Sequence, residues 1–332
     1  ISNHAHVIFP YHLAEEQVTE RAKSGSIGTT GRGIGPCYQD KMSRTWSVRV
    51  EELLHREHLL SRLEPIVERK NRILRALASE NNVPTFNATE LCDEYIGYSE
   101  KIRPFVTDTT QILHRAVKEG KNILFEGAQG CLLDVDHGSY PYVTSSNSSV
   151  AGLWSGSGLP ARHLTRVIGV IKSYTTRVGR GAFPTELDDG PQGIGEKIRQ
   201  KGKEFGTVTG RPRRCGWIDS VALRYTASLS GVDEVALTLL DVLSGLEEVK
   251  ICTTYRLDGE EVSCFPGDSF QLERCEPVYE TMPGWSQEID QVKKLSGLPK
   301  EARAYIDRLS ELLELPISIV SVGPDREQTI QA

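Results

Sequence analysis

The chain has 332 residues, of which 39 are basic and 45 acidic, so its net charge is −6. Hydrophobic residues make up 38% of it and charged residues 25%, as in ordinary soluble globular proteins. A mildly acidic chain lacks the surplus of Lys and Arg that neutralises a phosphate backbone, which excludes a general nucleic-acid-binding protein. The sequence contains no apolar run of about 18 residues and no signal peptide, so neither a membrane span nor secretion is predicted.

The seven cysteines are odd in number and widely spaced, and no C-x-x-C pair occurs among them. This pattern predicts neither a zinc ribbon nor a disulfide framework, but reduced thiols in a cytoplasmic protein. The chain begins at Ile1 and soon reaches the strand-like His6-Val-Ile-Phe, which is typical of a domain interior. We therefore expect an N-terminal portion of the domain to lie outside this chain.

The first segment with recognisable chemistry is the glycine-rich stretch from residue 25 to residue 36. Residues 13–23 before it are good helix formers. The stretch itself contains five glycines, two threonines and Arg32, a composition that argues against a helix or a central strand. It predicts a loop whose N–H groups face an anion, with a flexible linker as the alternative. It is not a Walker A loop, because no Gly-Lys-Ser/Thr follows it.

Two long segments with helical periodicity follow. Apolar residues recur every three to four positions between Trp46 and about Glu80, which predicts an amphipathic helix. A second helical segment runs from about Ala88 to Lys118 and is interrupted at Pro104. Their charged faces are interpreted as solvated surface. Together they predict a mainly helical insertion at about 46–119 without catalytic residues.

Four apolar strands of the buried type each run into a polar loop, at 122–125, 167–171, 234–241 and 316–322. Because helical segments separate them, the pattern predicts a single α/β domain over residues 1–332, with a largely parallel central sheet and flanking helices. Ligands of such sheets gather at the carboxyl ends of the strands. We therefore expect the binding residues in these loops.

The loops carry several candidate side chains. Gln129 can hydrogen-bond an amide-like base edge, and an ordinary strand-end turn is the alternative. Asp134-Val-Asp-His137 has the residue types of a metal site, but these residues are more typical of a turn. The hydroxyl-rich segment 142–149 is typical of a phosphate-binding helix N-terminus, or of simple N-capping. A carboxylate at Asp241 can accept both the N1–H and the N2–H of guanine.

The densest cluster of anion-binding residues is Glu204–Asp219, which sets three arginines, two threonine hydroxyls and several glycines within sixteen residues. Arginine fits a carboxylate or phosphate bidentately, and each charge-assisted bond contributes roughly 1.5–3 kcal/mol. A solvated basic loop is the alternative. Because the whole chain is acidic, the cluster predicts an enzyme loop for small anionic ligands rather than for nucleic acid.

Taken together and in this order, the loops resemble those of the adenylosuccinate synthetase family. The resemblance runs over the whole chain, and six motifs in matching order are far more specific than any one of them. The motifs are Gly28-Thr-Thr-Gly-Arg-Gly-Ile-Gly-Pro36, Phe125-Glu-Gly-Ala-Gln-Gly130, Tyr174-Thr-Thr-Arg-Val-Gly179, Phe183-Pro-Thr-Glu-Leu187, Thr209-Gly-Arg-Pro-Arg-Arg-Cys-Gly-Trp217 and Gly323-Pro-Asp-Arg326.

The resemblance implies a P-loop-NTPase-like α/β fold and a GTP-dependent ligase that forms a C–N bond. In this family IMP, L-aspartate and GTP give adenylosuccinate, GDP and phosphate with Mg²⁺, the first committed step from IMP to AMP. GTP phosphorylates the 6-oxygen of IMP, and the aspartate amine then displaces that phosphate. The resemblance also implies a cytoplasmic homodimer with a shared active site.

The resemblance assigns IMP contacts to residues of several loops. Thr30 and Thr144 resemble the residues that hold the 5′-phosphate, and Arg44 resembles the arginine that reaches this phosphate in the neighbouring subunit. Gln129 is similar to the glutamine that contacts the hypoxanthine edge and stabilises the 6-oxyanion, the catalytic role implied within this chain. Val178 resembles the residue that borders the ribose.

The aspartate and GTP contacts are implied in the same way. The stretch from Thr207 to Arg211 resembles the family's loop that closes on aspartate, so the implied aspartate contacts are Thr207, Val208, Thr209, Gly210 and Arg211. Within it, Arg211 would bind the aspartate carboxylate and is also among the implied IMP contacts. The implied GTP contacts are Arg213 at a phosphate and Asp241, Ser321 and Gly323 at the guanine.

The chain departs from the family pattern at three places. The family's phosphate loop, a G-D-E-G-K-G-K pattern, would lie upstream of Ile1. With it would lie the aspartate that acts as base and Mg²⁺ ligand, and the histidine that contacts the transferred phosphoryl group, so no metal ligand is expected in this chain. Leu239 stands where the family commonly has a lysine against the guanine, and Val208 replaces one hydroxyl of the usual threonine pair.

These departures leave an alternative of another class. The chain can instead be a catalytically incompetent nucleotide-binding or dimerising fragment that retains IMP contacts without transfer chemistry. A P-loop kinase or GTPase is disfavoured, because no Walker A sequence is present.

Overall fold

A computed structural model describes residues 1–22, 27–78, 83–187, 190–206 and 210–331. The chain divides into two compact units. Unit 1 comprises Ile1–Ala128, Thr144–Asn147 and Gly152–His163, and unit 2 comprises Gln129–Val143, Ser148–Ala151 and Leu164–Ala332. The single-domain organisation stays a prediction.

Unit 1 is helical in its described residues. Its main helices are α1 (Pro10–Ala22), α2 (Ile34–Ser43), α3 (Arg56–Leu77), α4 (Ala88–Ile102) and α5 (Thr109–Lys118). The short helix α6 (Ala151–Ser157) contributes all but its first residue. Helices α3 to α5 lie within residues 46–119, where a mainly helical insertion stays a prediction, and α4 ends just before Pro104, as expected from the ring of proline. Helix α3 buries an apolar stripe against α1 and α4, made of Leu59, Leu63, Ile66, Val67 and Leu74.

Two local predictions for unit 1 are wrong. The glycine-rich stretch was expected to be a loop up to Pro36, but α2 already begins at Ile34. Proline is tolerated in the first turn of a helix, where its missing N–H would have no intrahelical acceptor anyway. Residues 122–125 form no strand, and Leu124 is 91% exposed. An apolar run becomes a strand when another strand pairs with it, and none does so among the described residues.

Unit 2 contains the largely parallel central sheet that the sequence predicts. Its strands are β1 (Ile168–Lys172), β5 (Glu234–Thr238), β9 (Ile317–Ser321) and β10 (Thr329–Gln331), in the spatial order β1-β5-β9-β10. The pairs β1–β5 and β5–β9 are parallel, and β10 is antiparallel to β9. Val170 in the edge strand β1 is 72% exposed despite its apolar character.

Two smaller sheets complete unit 2. Strand β2 (Thr175–Arg177) pairs antiparallel with β3 (Arg214–Gly216). The other sheet joins β6 (Glu248–Leu257) to β4 (Ile218–Asp219), β7 (Glu260–Val262) and β8 (Glu276–Pro283). The helices are α7 (Ile194–Lys201), α8 (Ser220–Ser230), α9 (Ser269–Leu272) and α10 (Lys300–Leu313). The main core lies between the central sheet and α10, with Leu237, Leu309 and Val320 fully buried.

The seven cysteines form no disulfide. No helix within the described ranges is both long enough and apolar enough to cross a membrane.

Candidate active site

The glycine-rich loop leads into α2 and places Thr30 on the surface of unit 1. Gly31 and Gly33 have φ angles of 69° and 75°, a region that residues with a Cβ rarely adopt. A Cβ on Gly33 would lie 2.9 Å from the Cβ of His12, and the Gly33 N–H donates to Glu16 Oε2 at 2.6 Å. The start of α2 is therefore packed tightly against α1, with the exposed threonine just before it.

The segment Thr144–Asn147 lies beside the N-terminus of α2 in the same unit. A Cβ on Gly35, the second residue of α2, would stand 3.7 Å from Ser145 Oγ. The first N–H groups of a helix have no intrahelical acceptor and carry partial positive charge, so they attract phosphate. The structure thus brings the segment of Thr144 to the helix end that follows the loop of Thr30, an arrangement that suits a phosphate group.

Arg44 directly follows the last residue of α2 and is its C-terminal cap, with a φ angle of 66°. Its N–H donates to the carbonyl oxygens of Asp40 at 3.2 Å and Lys41 at 3.1 Å. Its exposed side chain lines a cavity of about 420 Å³ together with Lys41 and Arg49. Burial and these two neighbouring cations lower the pKa of His6 in the same cavity. Arg44 therefore lies on an accessible and positively charged surface, and its contact with a phosphate in another subunit stays a prediction.

Gln129 adopts an unusual backbone conformation in unit 2. Its φ angle is 60° and its side chain is exposed. A left-handed conformation costs a residue with a Cβ about 1–2 kcal/mol, and such strain is concentrated at functional sites. The next residue, Gly130, is anchored, because its carbonyl accepts from Leu133 N–H and Ser148 Oγ, both at 2.8 Å. The side chain of Gln129 is thus presented to solvent from an anchored backbone, and its contact with a base edge stays a prediction.

Asp134 is a buried turn acceptor, as the turn interpretation predicts. Its Oδ1 accepts from the N–H groups of Asp136 at 3.0 Å and His137 at 3.2 Å. Its Oδ2 accepts from Ser149 N–H at 3.0 Å and Ser149 Oγ at 2.8 Å. Burial by itself raises the pKa of Asp134, but these hydrogen bonds lower it to about 2. The carboxylate therefore orders the turn. It also holds the hydroxyl of Ser149, which belongs to the hydroxyl-rich segment 142–149.

Val178 follows β2 and is 52% exposed. The β2–β3 register pairs Arg177 with Arg214, so this valine is brought to the stretch of chain that also contains Arg213. The guanidinium of Arg177 donates to Ser139 Oγ at 2.9 Å, and burial together with the charge of Arg214 lowers its pKa to about 10. The predicted ribose contact and the arginine-rich stretch therefore meet within unit 2.

The base of the arginine-rich loop is closed as a hairpin. Phe205 forms an antiparallel bridge with Pro212, and Gly206 N–H donates to the Arg211 carbonyl at 2.8 Å. Gly210, with a φ angle of 62°, donates its N–H to the Gly206 carbonyl at 2.8 Å. The side chain of Arg211 is exposed at this base. The predicted aspartate contacts Thr207, Val208 and Thr209 lie outside the described residues.

Glu204 is a buried acceptor below this hairpin, with an exposed fraction of 1%. Its Oε1 accepts from Lys172 Nζ at 2.6 Å and Tyr174 Oη at 2.7 Å, and its Oε2 accepts from Arg213 Nη1 at 2.6 Å. Burial raises the pKa of Glu204, but these three hydrogen bonds outweigh burial and lower it. The sequence interpretation assigned no role to Glu204 or Lys172. The available signal for Lys172 was its position at the end of an apolar strand.

The predicted guanine contacts follow the carboxyl ends of two adjacent parallel strands. Asp241 lies in a 3₁₀ helix, Leu240–Leu243, that follows β5 and packs against β9, and Ser321 is the last residue of β9. Asp241 Oδ1 is buried without a hydrogen-bond partner among the described residues, and burial raises the pKa of this carboxyl. A buried acceptor left unpaired costs about 1–3 kcal/mol, so this oxygen suits an N–H donor of a ligand.

The neighbours of Asp241 have defined positions as well. Ser321 Oγ donates to the Gly323 carbonyl at 2.8 Å, and a Cβ on Gly323 would collide with the side chain of Gln328. Leu239 has a φ angle of 60° and packs partly against the main core of unit 2. Leucine replaces the lysine that the family commonly has at this position. An apolar side chain that packs against the core supplies no charge to a guanine base.

Mg²⁺ needs oxygen ligands, which Asp and Glu side chains can supply. Within the described ranges, no three or more His, Cys, Asp or Glu side chains converge where a metal ion could bind. These ranges therefore offer Mg²⁺ no site made of protein ligands alone, and the ion is commonly held by one or two carboxylates together with the phosphates of a substrate.

The sequence matches the family profile of adenylosuccinate synthetase from residue 1 to residue 330. The chain belongs to the adenylosuccinate synthetase family. This is a family of ligases in the purine pathway that leads to AMP, and the family resemblance inferred from the loops is thereby confirmed.

Individual relatives are similar over nearly the whole chain. Adenylosuccinate synthetase of Desulforamulus reducens is 50% identical over 331 residues, which cover 99% of this chain and 76% of that protein. The enzyme of Caldanaerobacter subterraneus subsp. tengcongensis is 49% identical with the same coverage. The structure of fully ligated adenylosuccinate synthetase from Plasmodium falciparum superposes with a TM-score of 0.93 at 37% identity, covering 100% of this chain and 77% of that chain. The predicted α/β fold class is therefore confirmed.

Proposed function

We propose that the protein joins IMP and L-aspartate, with hydrolysis of GTP, to form adenylosuccinate, GDP and phosphate. The observation that carries this proposal is the family match over residues 1–330. The described sites support it, because anion-binding features occur at α2 in unit 1 and at the arginine-rich hairpin in unit 2. We further propose a homodimer in the cytoplasm, in which each active site receives Arg44 from the neighbouring subunit.

IMP is bound and activated by residues of several loops, of which Thr30, Gln129 and Val178 are exposed and Thr144 is half-buried. Thr30, Thr144 and the N-terminus of α2 bind its 5′-phosphate, and Val178 borders its ribose. GTP phosphorylates the 6-oxygen of IMP, which forms the 6-phosphoryl-IMP intermediate. During this step Gln129 donates a hydrogen bond to the 6-oxygen, on which negative charge develops. Donors oriented in advance lower the barrier, because they need not reorganise during the reaction.

Aspartate and GTP are held by the arginine-rich stretch and the sheet edge. Arg211 binds an aspartate carboxylate, and Arg213 binds a GTP phosphate. By family resemblance alone, Thr207, Val208, Thr209 and Gly210 are proposed as further aspartate contacts. Asp241 accepts from the guanine edge, where Ser321 and Gly323 complete the pocket. Bound Mg²⁺ would neutralise phosphate charge. Phosphoryl transfer depends mainly on such positioning and charge stabilisation.

A coupled assay tests the proposal directly. Adenylosuccinate is followed with IMP, aspartate, GTP and Mg²⁺, and each substrate is omitted in turn. Formation that requires all three substrates is the expected result. IMP binding by calorimetry without turnover would instead support the nucleotide-binding or dimerising fragment. A protein that neither binds IMP nor forms product contradicts the proposal.

The Asp241→Asn variant tests the guanine contact. An asparagine keeps the shape but replaces one acceptor oxygen by an NH₂ group that faces the N–H donors of the base. We expect the affinity for GTP to fall about 10- to 50-fold, with IMP binding unchanged. Titration with GTP and IMP measures both affinities. An unchanged affinity for GTP would remove Asp241 from the proposed pocket.

The Arg44→Leu variant tests the shared site. Loss of one charge-assisted phosphate contact is expected to lower activity roughly 30-fold without altering the circular dichroism spectrum. Mixing it with an equal amount of an inactive Arg211→Leu chain should restore activity to about a quarter of the wild-type value. About half of the dimers are then mixed, and half of the sites in a mixed dimer carry neither defect. If mixing restores nothing while mixed dimers form, Arg44 does not act in the neighbouring subunit.

A further inference from the structure

Four side chains of unit 2 form a compact cluster, called here the Glu204 cluster: Lys172, Tyr174, Glu204 and Arg213. Its carboxylate is almost fully buried, whereas the side chains of Lys172 and Arg213 are each 29% exposed. Burial and the adjacent carboxylate raise the pKa of Tyr174, which therefore remains a neutral donor. Two cations around one anion leave the cluster with one positive charge in excess at the surface, as an anionic ligand requires.

The same cluster fixes the backbone on both sides of the hairpin. Glu204 N–H donates to the Arg199 carbonyl at 2.9 Å, and Arg213 N–H donates to the Glu204 carbonyl at 2.9 Å. Arg199 Nε in turn donates to the Arg213 carbonyl at 2.8 Å. Arg213 is therefore held through its main chain, while the direction of its guanidinium is set by the bond from Nη1 to Glu204 Oε2.

The guanidinium of Arg213 is held in place by Glu204, but not all of its N–H donors have a hydrogen-bond acceptor among the described residues. Its Nε is buried and has no hydrogen-bond partner in the part of the chain that the structure describes. A guanidinium carries five N–H donors in a rigid fork, so a bond at one nitrogen fixes the plane in which the others point. Glu204 thus aligns a cation that keeps donors for a further acceptor.

We propose that Glu204 is a positioning residue, which aligns Arg213 for its contact with a phosphate group of GTP. The inference rests on the proposed function, in which Arg213 binds that phosphate. Glu204 itself does not touch the nucleotide. It acts by restricting the rotamers of a long side chain before the ligand arrives, so that less conformational entropy is lost on binding.

The Glu204→Gln variant separates positioning from charge, because the two predict opposite signs. The substitution raises the net charge of the cluster from one positive charge to two, so charge alone would strengthen the binding of a phosphate. Positioning predicts weaker binding, because an amide offers one acceptor oxygen and cannot accept from both cations. We expect the affinity for GTP to fall about tenfold, while the affinity for IMP changes less than about threefold.

The Glu204→Asp variant keeps the charge and changes the geometry. It withdraws the carboxylate by one methylene, about 1.5 Å, so the bonds to Lys172 and Arg213 cannot both persist. A weaker affinity for GTP is again expected, and this variant serves if Glu204→Gln does not fold. The matched control is Glu280→Gln, which removes a carboxylate paired with Arg308 elsewhere in unit 2 and should leave the affinity for GTP unchanged.

Titration of each folded variant with GTP and with IMP decides the matter. If the wild-type protein does not bind GTP, the proposed function fails, and the inference fails with it. If the wild-type protein binds GTP and Glu204→Gln binds it equally or more tightly, the positioning role alone is overturned. A parallel loss of affinity in Glu280→Gln would show that any broken ion pair has this effect and would also overturn it.

Discussion

We expect the Lys70→Met variant to unfold with a free energy about 3–5 kcal/mol lower than that of the wild-type protein. Lys70 lies in α3 and is 1% exposed. Its Nζ contacts Glu15 Oε2 at 2.5 Å and Asp40 Oδ2 at 2.8 Å. Methionine fills a similar volume but donates no hydrogen bond, so two carboxylates would remain buried without their cation.

The neighbours of Lys70 cannot take over its charge. His12 Nδ1 accepts from Phe9 N–H at 2.9 Å, which places the proton on Nε2, and Nε2 donates to Asp40 Oδ2 at 3.0 Å. Burial lowers the pKa of His12, so the ring is a neutral donor. Arg69 Nη1 stays 3.8 Å from Asp40 Oδ1, beyond hydrogen-bond distance. We therefore expect the free energy of unfolding to fall by the full cost of burying the carboxylates of Glu15 and Asp40 without Lys70.

Urea unfolding followed by circular dichroism measures this difference. The matched control is Arg72→Met in the same helix, where the salt bridge to Glu68 is exposed, with side-chain exposures of 74% and 65%. Such surface pairs contribute about 0–1 kcal/mol. Equal effects of the two substitutions would contradict the view that the buried charges depend on Lys70.

This network also bears on the proposed site, because it holds α2 against α1 and α3. Glu16 accepts from Gly33 at the start of α2, and Asp40 receives bonds from both neighbouring helices near its end. One rigid helix thus connects the loop of Thr30 to Arg44. In the proposed homodimer these two residues serve different active sites, so the orientation of α2 would affect both.

We expect the Arg211→Leu variant to lose about 100-fold or more in kcat/KM for aspartate while IMP binding stays nearly intact. A bidentate pair of arginine and carboxylate involves two charge-assisted hydrogen bonds, and the loss of about 3 kcal/mol corresponds to this factor. The exposed side chain stands at the closed base of the hairpin. A contact with IMP from the same residue would add a smaller loss of IMP affinity.

Steady-state kinetics with varied aspartate, together with IMP titration, measure both effects. Arg303→Leu is the control, because Arg303 is exposed on α10 outside the proposed site. A large loss of IMP affinity combined with a normal KM for aspartate would overturn the role of Arg211. A comparable defect in Arg303→Leu would indicate a general effect of removing a surface charge.

The apolar runs predicted the fold class, because buried parallel strands leave a strong local signal. Strands β1, β5 and β9 all form where such runs were found. The same signal failed at 122–125, since pairing needs a partner strand that local composition does not report. The start of α2 was missed for a related reason. Glycines predict a loop locally, but packing of Gly33 against His12 and the bond to Glu16 support a helix immediately after it.

By itself the sequence determined which chemical groups the protein offers and in which order, and these motifs were sufficient to identify its family. Tertiary structure alone decided which of those groups meet. Lys172 and Glu204 are 32 residues apart in the chain, yet they form a partly buried ion pair. Asp241 and Ser321 come together because β5 and β9 are adjacent parallel strands. Residue periodicity reports local conformation, whereas contacts across long separations depend on how whole elements pack.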